Sequence, residues 1–404
     1  MKWVLKSLAA IVGFAVVALI LLFGLMSREH HAMITLPEPT GHFAVGRTTY
    51  TWVNKAETDA LAPAPGTPRE LLVWIWYPAA TTPSAKPAEY LPAPWRAADA
   101  QYSGVLMSEF LTRDLSLVRA HSGSDPDLSP EQRSYPVVIL RAGGGALTTD
   151  YTTLAEDLTS HGYIVVGFDA PYRTSFVVFP DNRVVTRAAA NDPENLSSEE
   201  ANRLISRLLP MWTSDTKFLV SQLQQLNAAD PSGKFVGRLD LQRLGMFGHS
   251  FGGATTLQFC HDDIRCKAGI DLDGAPYGSV VQEGLQQPFM FIFSDHSHEL
   301  FDPAAKQIFA DFQSIYGHLP NDRFVVTIRG AHHFSFTDQS LLKSGLLMKV
   351  LTSAGGFGKL DARRGLGISA IYVHTFFDVY LNGAPSTLLT GVSAQYPEVQ
   401  FESH

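Results

Sequence analysis

Cysteine is almost missing from this chain: there are two in 404 residues, Cys260 and Cys266. So few thiols exclude a scaffold built on disulfides. They also exclude a cysteine-ligated metal site, because no Cys or His partner stands at ligand spacing around them. Six positions apart in the chain, the two either pair in an exported compartment or sit as small buried hydrophobes. Charge of one sign is missing as a run. The net charge is −8, yet acidic and basic residues are mixed and only 17% of residues are charged. No basic stripe exists to track phosphates, so no nucleic-acid partner is expected. Internal repeats are absent too, which excludes solenoids and propellers. What is present is 45% hydrophobic and 11% aromatic residues, enough for one large core.

One long apolar run stands out. Lys2 and Lys6 precede an uncharged stretch from Ser7 to Met26. As a helix it rises about 30 Å, the thickness of a hydrocarbon core. A cleaved signal has a shorter apolar region followed by a small-x-small site. Here the run ends Gly24-Leu25-Met26-Ser27-Arg28. Residues 1–27 therefore read as an uncleaved membrane anchor whose lysines hold the N-terminus in the cytoplasm. The rest of the chain is then periplasmic or extracellular. Secretion after signal cleavage is the alternative.

Residues 28–42 read as a polar linker, 43–385 as one catalytic domain and 386–404 as a tail. Strand-like stretches at 43–53 and 70–77 flank a Pro/Ala/Gly loop and predict a hairpin. Residues 80–134 lack clear periodicity and read as an insertion with one or two short helices. Residues 174–209 read as a second insertion. Between and beyond them the pattern predicts strands at 136–140, 163–168, 244–247, 268–272, 289–293 and 324–328. Helices are predicted at 151–161, 211–226, 251–260 and 368–381, with another between the last two strands. Continuous apolar strands separated by helices imply an α/β class with a mostly parallel sheet covered on both faces.

The chemistry is carried by Gly248-His249-Ser250-Phe251-Gly252. The G-x-S-x-G pattern occurs by chance, but here it follows a predicted strand and opens a predicted helix, the setting of a nucleophile elbow in an α/β-hydrolase fold. Ser250 is the candidate nucleophile. Its hydroxyl needs a base, and the base needs an orienting carboxylate, in the chain order Ser, acid, His. His333 lies just past the strand predicted at 324–328, with His332 as the neighbouring choice. An ordinary loop histidine is the bland reading of either. Asp273 and Asp295 both end strands, and pattern alone does not separate them. Asp271 falls inside a strand, where a structural role fits better. The N–H of Phe251 is one candidate oxyanion donor, and the loop Gly143-Gly144-Gly145 offers the second. That loop lacks the Lys-Ser/Thr of a phosphate-binding loop and the spacing of a dinucleotide fingerprint.

Together these residues resemble the platelet-activating-factor acetylhydrolase-like esterases and lipases, over roughly residues 41 to 385. The resemblance rests on Gly41-His-Phe-Ala-Val-Gly46, Trp76-Tyr-Pro78 and Tyr135-Pro-Val-Val. It continues through Ser160-His-Gly-Tyr-Ile-Val165, Gly248-His-Ser-Phe-Gly-Gly-Ala-Thr255, Ile270-Asp-Leu-Asp273 and Ile328-Arg-Gly-Ala-His-His333. It implies Asp273 as the acid, with Asp295 as the alternative, and His333 as the base. It implies Gly144 and Phe251 as oxyanion donors, no cofactor and no metal. The implied activity is a serine esterase acting through an acyl-enzyme on short-acyl glycerophospholipids, with an ester or lipid as partner and the membrane reached through the N-terminal segment. A general carboxylesterase or polyester hydrolase of the same fold is the nearest rival. An inactive α/β-hydrolase serving as a binding protein is the rival of another class. One departure is plain: the family has His-Gly at the start of the oxyanion loop, and this chain has Ala142-Gly143. Residues 80–134 match poorly, so the pocket walls do not transfer.

Overall fold

Alternation along the strands assigns side chains to the two faces of one central sheet. The computed structural model describes residues 2–80, 86–192, 196–296, 303–319, 322–353 and 358–403. Its strands are β1 Ile34–Thr35, β2 Ala44–Thr58, β3 Pro68–Ala79, β4 Pro87–Glu89, β5 Val118–Ser124, β6 Tyr135–Arg141 and β7 Ile164–Asp169. They continue with β8 Phe176–Val178, β9 Val184–Thr186, β10 Leu239–His249, β11 Cys266–Leu272, β12 Phe289–Phe293, β13 Arg323–Ile328 and β14 Val399–Ser403. The helices are α1 Lys2–His30, α2 Ala93–Leu106, α3 Thr152–Ser160, α4 Ser198–Ala228 and α5 Phe251–Asp262. After them come α6 Val280–Glu283, α7 Pro303–Gly317, α8 Gln339–Leu342, α9 Gly345–Ser353 and α10 Ala362–Asn382.

The main sheet runs β1-β5-β2-β3-β7-β6-β10-β11-β12-β13-β14, with β4 paired to β5. From β7 to β13 every pairing is parallel. The β2–β3 hairpin and β14 are antiparallel additions. In β3, Leu72, Trp74 and Trp76 face the side of the sheet covered by α3 and α10, in one buried cluster with Leu154 and Leu158 of α3 and Tyr372 and Phe376 of α10. Leu71, Val73 and Ile75 face the other way, toward Leu219 and Leu223 of α4 and Leu257 of α5. β6 divides in the same manner, Val138 and Leu140 to one side, Val137 and Ile139 to the other. Burial on both faces is why these strands read as unbroken apolar runs. The fold is α/β with a mostly parallel mixed sheet, as the sequence pattern predicts.

The insertions hold more structure than their sequence shows. In residues 80–134, of which 81–85 lie outside the described residues, β5 joins the main sheet beside β2. α2 there buries only Trp95 and Ala98, too few positions to leave a period in the sequence. In residues 174–209, of which 193–195 lie outside the described residues, β8 and β9 pair as a small hairpin. α4 begins well before the predicted start. Ser197 caps it, with Glu200 returning the bond, and Pro210 is accommodated inside. The stretch read as a linker is docked: Leu36 is buried, and β1 pairs with β5. The stretch read as a tail supplies the edge strand β14. Such short edge segments carry no periodicity of their own.

The N-terminal apolar helix is present. Residues Ala10–His30 contain an 18-residue window of mean hydropathy 2.7 and are long and apolar enough to cross a membrane. Among the described residues, the buried positions of α1 lie at its C-terminal end. Met26 and His30 are buried there, and His30 Nδ1 lies 2.8 Å from the Thr112 carbonyl. The Glu29 carboxylate accepts the Gly345 N–H at 2.6 Å, capping α9. Phe23 meets Phe110 edge-on, ring centroids 5.6 Å apart. The two cysteines are bonded to each other and join the end of α5 to the start of β11. A disulfide and an N-terminal apolar signal or anchor helix both fit an extracytoplasmic location.

Candidate active site

β10 ends at His249 and α5 begins at Phe251, so the turn between them is Ser250 alone. Ser250 sits at φ 56°, ψ −124°, a conformation that costs a non-glycine residue energy and persists only where its surroundings enforce it. Small neighbours make the turn possible. A side chain at Gly248 would strike the backbone of Gly252, and one at Gly252 would strike the backbone of Arg141. A side chain at Gly253 would strike Asp271, so α5 can lie directly on β11. The serine therefore stands at the N-terminus of α5, where unpaired N–H groups carry partial positive charge.

Register brings the candidate acid alongside. His249 pairs with Leu272 across β10 and β11, and Ser250 N–H donates to the Leu272 carbonyl at 2.9 Å. Asp273 is the next residue and has positive φ as well, 54°. Its Oδ2 is 2.8 Å from His333 Nδ1 and accepts the Ser294 hydroxyl at 2.9 Å. Its Oδ1 accepts the Ser294 N–H at 2.8 Å and lies 2.8 Å from His296 Nε2. Burial alone would raise its pKa. Hydrogen bonds from His296 and His333 overcome that and hold the carboxyl far below the usual range, so it is ionised at neutral pH.

His333 opens the short turn His333–Phe336 beyond β13. Asp295 does a different job from Asp273. Its N–H donates to the Ala331 carbonyl at 3.1 Å, and its carboxylate accepts the Gly330 N–H at 2.9 Å. It thus braces the loop that leads into His333. His332 directs its backbone N–H to Ser335 Oγ at 2.8 Å. Asp271 is fully buried and accepts the Gly274 N–H at 2.9 Å. Desolvation raises its pKa well above normal.

On the other side of Ser250 lies the glycine loop. A Cβ on Gly143 would come within 3.2 Å of Ser250 Cβ, and one on Gly144 would come within 3.9 Å of Phe251 Cβ. Gly144 is exposed while Gly143 and Gly145 are buried. Among the described residues the N–H groups of Gly144 and Phe251 have no internal acceptor, so both are available to an incoming oxygen. Trp212 of α4 packs on Phe251 with ring centroids 4.6 Å apart, and the Arg141 guanidinium lies 3.7 Å from the Trp212 ring.

Sequence reasoning missed three contributors. Ser294 and His296 hold Asp273, and their only sequence signal was their place at the end of the same strand as Asp295. His249, the variable position of the G-x-S-x-G pattern, is buried and lies 2.8 Å from both Tyr151 Oη and the His333 carbonyl. A large polar residue where any residue is allowed was the available clue.

Ligand-type side chains meet elsewhere. Asp157, His161 and His374 bring potential metal-ligating atoms within 4.8 Å of one another. His161 stands at the end of α3 opposite Tyr151. The Asp157 carboxylate is already engaged by Thr40 and by His374 Nδ1 at 2.8 Å. A cleft of about 460 Å³ lined by Phe43, Val45, His121 and Pro126 contains none of the site residues.

The sequence profile described as platelet-activating factor acetylhydrolase, isoform II, matches residues 29–177 and 212–382. A probable 1-alkyl-2-acetylglycerophosphocholine esterase of Arthroderma benhamiae is 25% identical over 390 residues, covering 91% of this chain and 93% of that protein. The platelet-activating factor acetylhydrolase of Cavia porcellus is 26% identical over 244 residues, covering 56% of this chain and 53% of that protein. Among solved structures, a ferulic acid esterase from Streptomyces cinnamoneus superposes with a TM-score of 0.75 at 26% identity, covering 92% of this chain and 99% of that one. The chain belongs to the platelet-activating factor acetylhydrolase isoform II family of α/β-hydrolase carboxylic esterases.

Proposed function

We propose that this esterase hydrolyses short-acyl, acetyl-like lipid esters through an acyl-enzyme on Ser250, with His333 as general base and Asp273 as its orienting acid. The observation that carries the proposal is the 2.8 Å contact between His333 Nδ1 and Asp273 Oδ2. An ionised Asp273 keeps the imidazole proton on Nδ1 and leaves Nε2 free to accept. Ser250 Oγ attacks the ester carbonyl carbon as Nε2 takes its proton. The carbonyl oxygen becomes an oxyanion held by the N–H groups of Gly144 and Phe251. Return of the proton to the alcohol oxygen expels the leaving group. Water then attacks the acyl-enzyme by the same steps, releasing the acid and restoring Ser250.

The names of the relatives support an acetylated glycerophospholipid as substrate. Retention of α1 as a membrane anchor, with the catalytic domain outside the cytoplasm, is supported by the contacts of Met26, Glu29 and His30, which cleavage beyond them would remove. An anchored domain would meet lipid esters at the bilayer surface. The likeness to a ferulic acid esterase favours a second reading, a general carboxylesterase.

The test is a kcat/KM profile over glycerophosphocholines carrying acetyl, butyryl, octanoyl and palmitoyl groups at the second position, run beside methyl ferulate. Highest kcat/KM on the acetyl lipid is expected. A maximum on ferulate or on long acyl chains overturns the substrate assignment.

A further inference from the structure

The contacts of His249 define a hydrogen-bond chain whose direction is set by elimination. The His333 backbone carbonyl only accepts, and it lies 2.8 Å from His249 Nε2, so Nε2 carries a proton. His249 Nδ1 lies 2.8 Å from Tyr151 Oη, and Tyr151 Oη accepts the Gly143 N–H at 3.1 Å. If Nδ1 also carried a proton, it would donate to Tyr151. The tyrosine O–H would then need another acceptor, and the described residues offer it none. Nδ1 is therefore bare, and Tyr151 donates to it. Burial, then the neighbouring His333, push the His249 pKa down to about 3, in keeping with a neutral ring. The chain reads Gly143 N–H to Tyr151 Oη, Tyr151 O–H to His249 Nδ1, and His249 Nε2–H to the His333 carbonyl. Both side chains are buried.

We infer that Tyr151 and His249 are positioning residues that tie the oxyanion loop to the backbone of the base, and so set the spacing of the groups around Ser250. The inference rests on the roles proposed above for Ser250 and His333. At one end, the chain commits the Gly143 N–H to Tyr151 and leaves Gly144 to face the substrate. At the other end, it holds His333 by its carbonyl while Asp273 holds the same residue by its ring. The two rings, His249 and His333, stand 4.5 Å apart by centroids. His249 is also the residue that precedes the nucleophile, so a single side chain links elbow, base and oxyanion loop. A chain of aligned donors in a buried setting strengthens each bond in it.

Tyr151→Phe removes one oxygen atom and keeps the ring. Its kcat on p-nitrophenyl acetate should fall about 10- to 100-fold with KM within twofold, since misplacing reacting groups slows the chemical step. His249→Gln keeps one donor and one acceptor and should retain most of the wild-type kcat, whereas His249→Leu should match or exceed the loss in Tyr151→Phe. In wild-type protein, long-range 1H–15N correlation of the histidine rings should show His249 as the neutral Nε2–H tautomer. Thermal melts are run alongside, and if His249→Leu does not fold, the Tyr151→Phe and His249→Gln pair decides. Wild-type kcat in Tyr151→Phe, or an Nδ1–H tautomer of His249, overturns the inference. Ser250→Ala and His333→Ala serve as controls. If they are active, the underlying reading fails. If they are inactive while Tyr151→Phe is normal, only the positioning role fails.

Discussion

Ser250 gives its backbone N–H to the carbonyl of Leu272 at 2.9 Å, and this bond between neighbouring strand ends sets the serine beside Asp273. Both residues following the last paired positions of β10 and β11 have positive φ, 56° at Ser250 and 54° at Asp273. Two strained corners at adjacent strand ends turn both side chains out of the sheet at the same edge. Strain of this kind is maintained by the surrounding close packing, here by glycines 248, 252 and 253.

Ser250→Ala removes the proposed nucleophile without altering the elbow. Hydrolysis of p-nitrophenyl acetate should fall by at least about 10⁴-fold, and labelling by a fluorophosphonate probe should vanish. Retained labelling at another serine with normal activity would exclude Ser250, and an intact fold without any wild-type activity would favour a binding protein.

The two aspartates should separate cleanly. Asp273→Asn takes the charge from beside His333 and should lower kcat by about 10³- to 10⁴-fold, and it should lower the melting temperature as well, since the carboxylate also accepts from Ser294 and lies beside His296. Asp295→Asn leaves that contact and disturbs the brace to Gly330. Its kcat should stay within about tenfold, with a loss of about 1 kcal/mol in stability. Steady-state kinetics and urea titration of both variants check this.

Asp150 and Asp169 are carboxyls whose pKa burial pushes up to about 6. A folded-state pKa above the unfolded value means that the folded protein binds a proton the unfolded chain lacks. Stability from each therefore falls as pH rises from about 4 to 6, then stays level. Asp273 has the opposite sign: its contribution is complete above about pH 4 and is lost as pH falls toward its depressed pKa. Relative to Asp169→Asn, the wild type should be more stable at pH 5 than at pH 7, by roughly 2–5 °C in melting temperature. Equal differences at the two pH values would contradict the assignment.

The bond between Cys260 and Cys266 closes a short loop. By loop entropy it should contribute about 2 kcal/mol. Cys260→Ala with Cys266→Ala should lower the urea midpoint accordingly while leaving kcat at 25 °C near wild type, because the pair lies at the far end of α5 from Ser250. Ellman titration of the unfolded native protein should find no free thiol.

Truncation locates the boundary between the apolar N-terminal helix and the domain. A chain beginning at residue 23 keeps Phe23, Met26, Glu29 and His30 and should be soluble with a wild-type melting temperature. A chain beginning at residue 32 loses the α9 cap and the bond to Thr112, and should be less stable by roughly 1–2 kcal/mol. The full-length protein should remain in the membrane fraction after a carbonate wash with its N-terminus intact.

Much of the site is legible in the amino-acid sequence, because its elements are local. Gly248, Ser250 and Gly252 announce a sharp turn through spacing alone, and the apolar runs on either side announce a strand and a helix. The strand pattern of β3 and β6 is equally plain, since both faces of those strands are covered. The edge strands β1 and β14, and β5 beside β1, leave no such mark, because pairing rather than composition makes them strands. Tyr151 and His249 are likewise silent: each looks ordinary until the other is beside it.

The amino-acid sequence by itself determined the α/β class, the elbow at Ser250, the glycine loop and the apolar N-terminal helix, all features of a few consecutive residues or of one period. Residue pattern alone left Asp273 and Asp295 level and the resemblance leaned to Asp273, but only the tertiary structure brings Asp273 against His333, across 60 residues of chain. The same holds for His249 finding Tyr151 across 98 residues, and for the two cysteines bonding. Such choices depend on strand register and loop path, and a shift of one residue in register would carry each side chain to the opposite face.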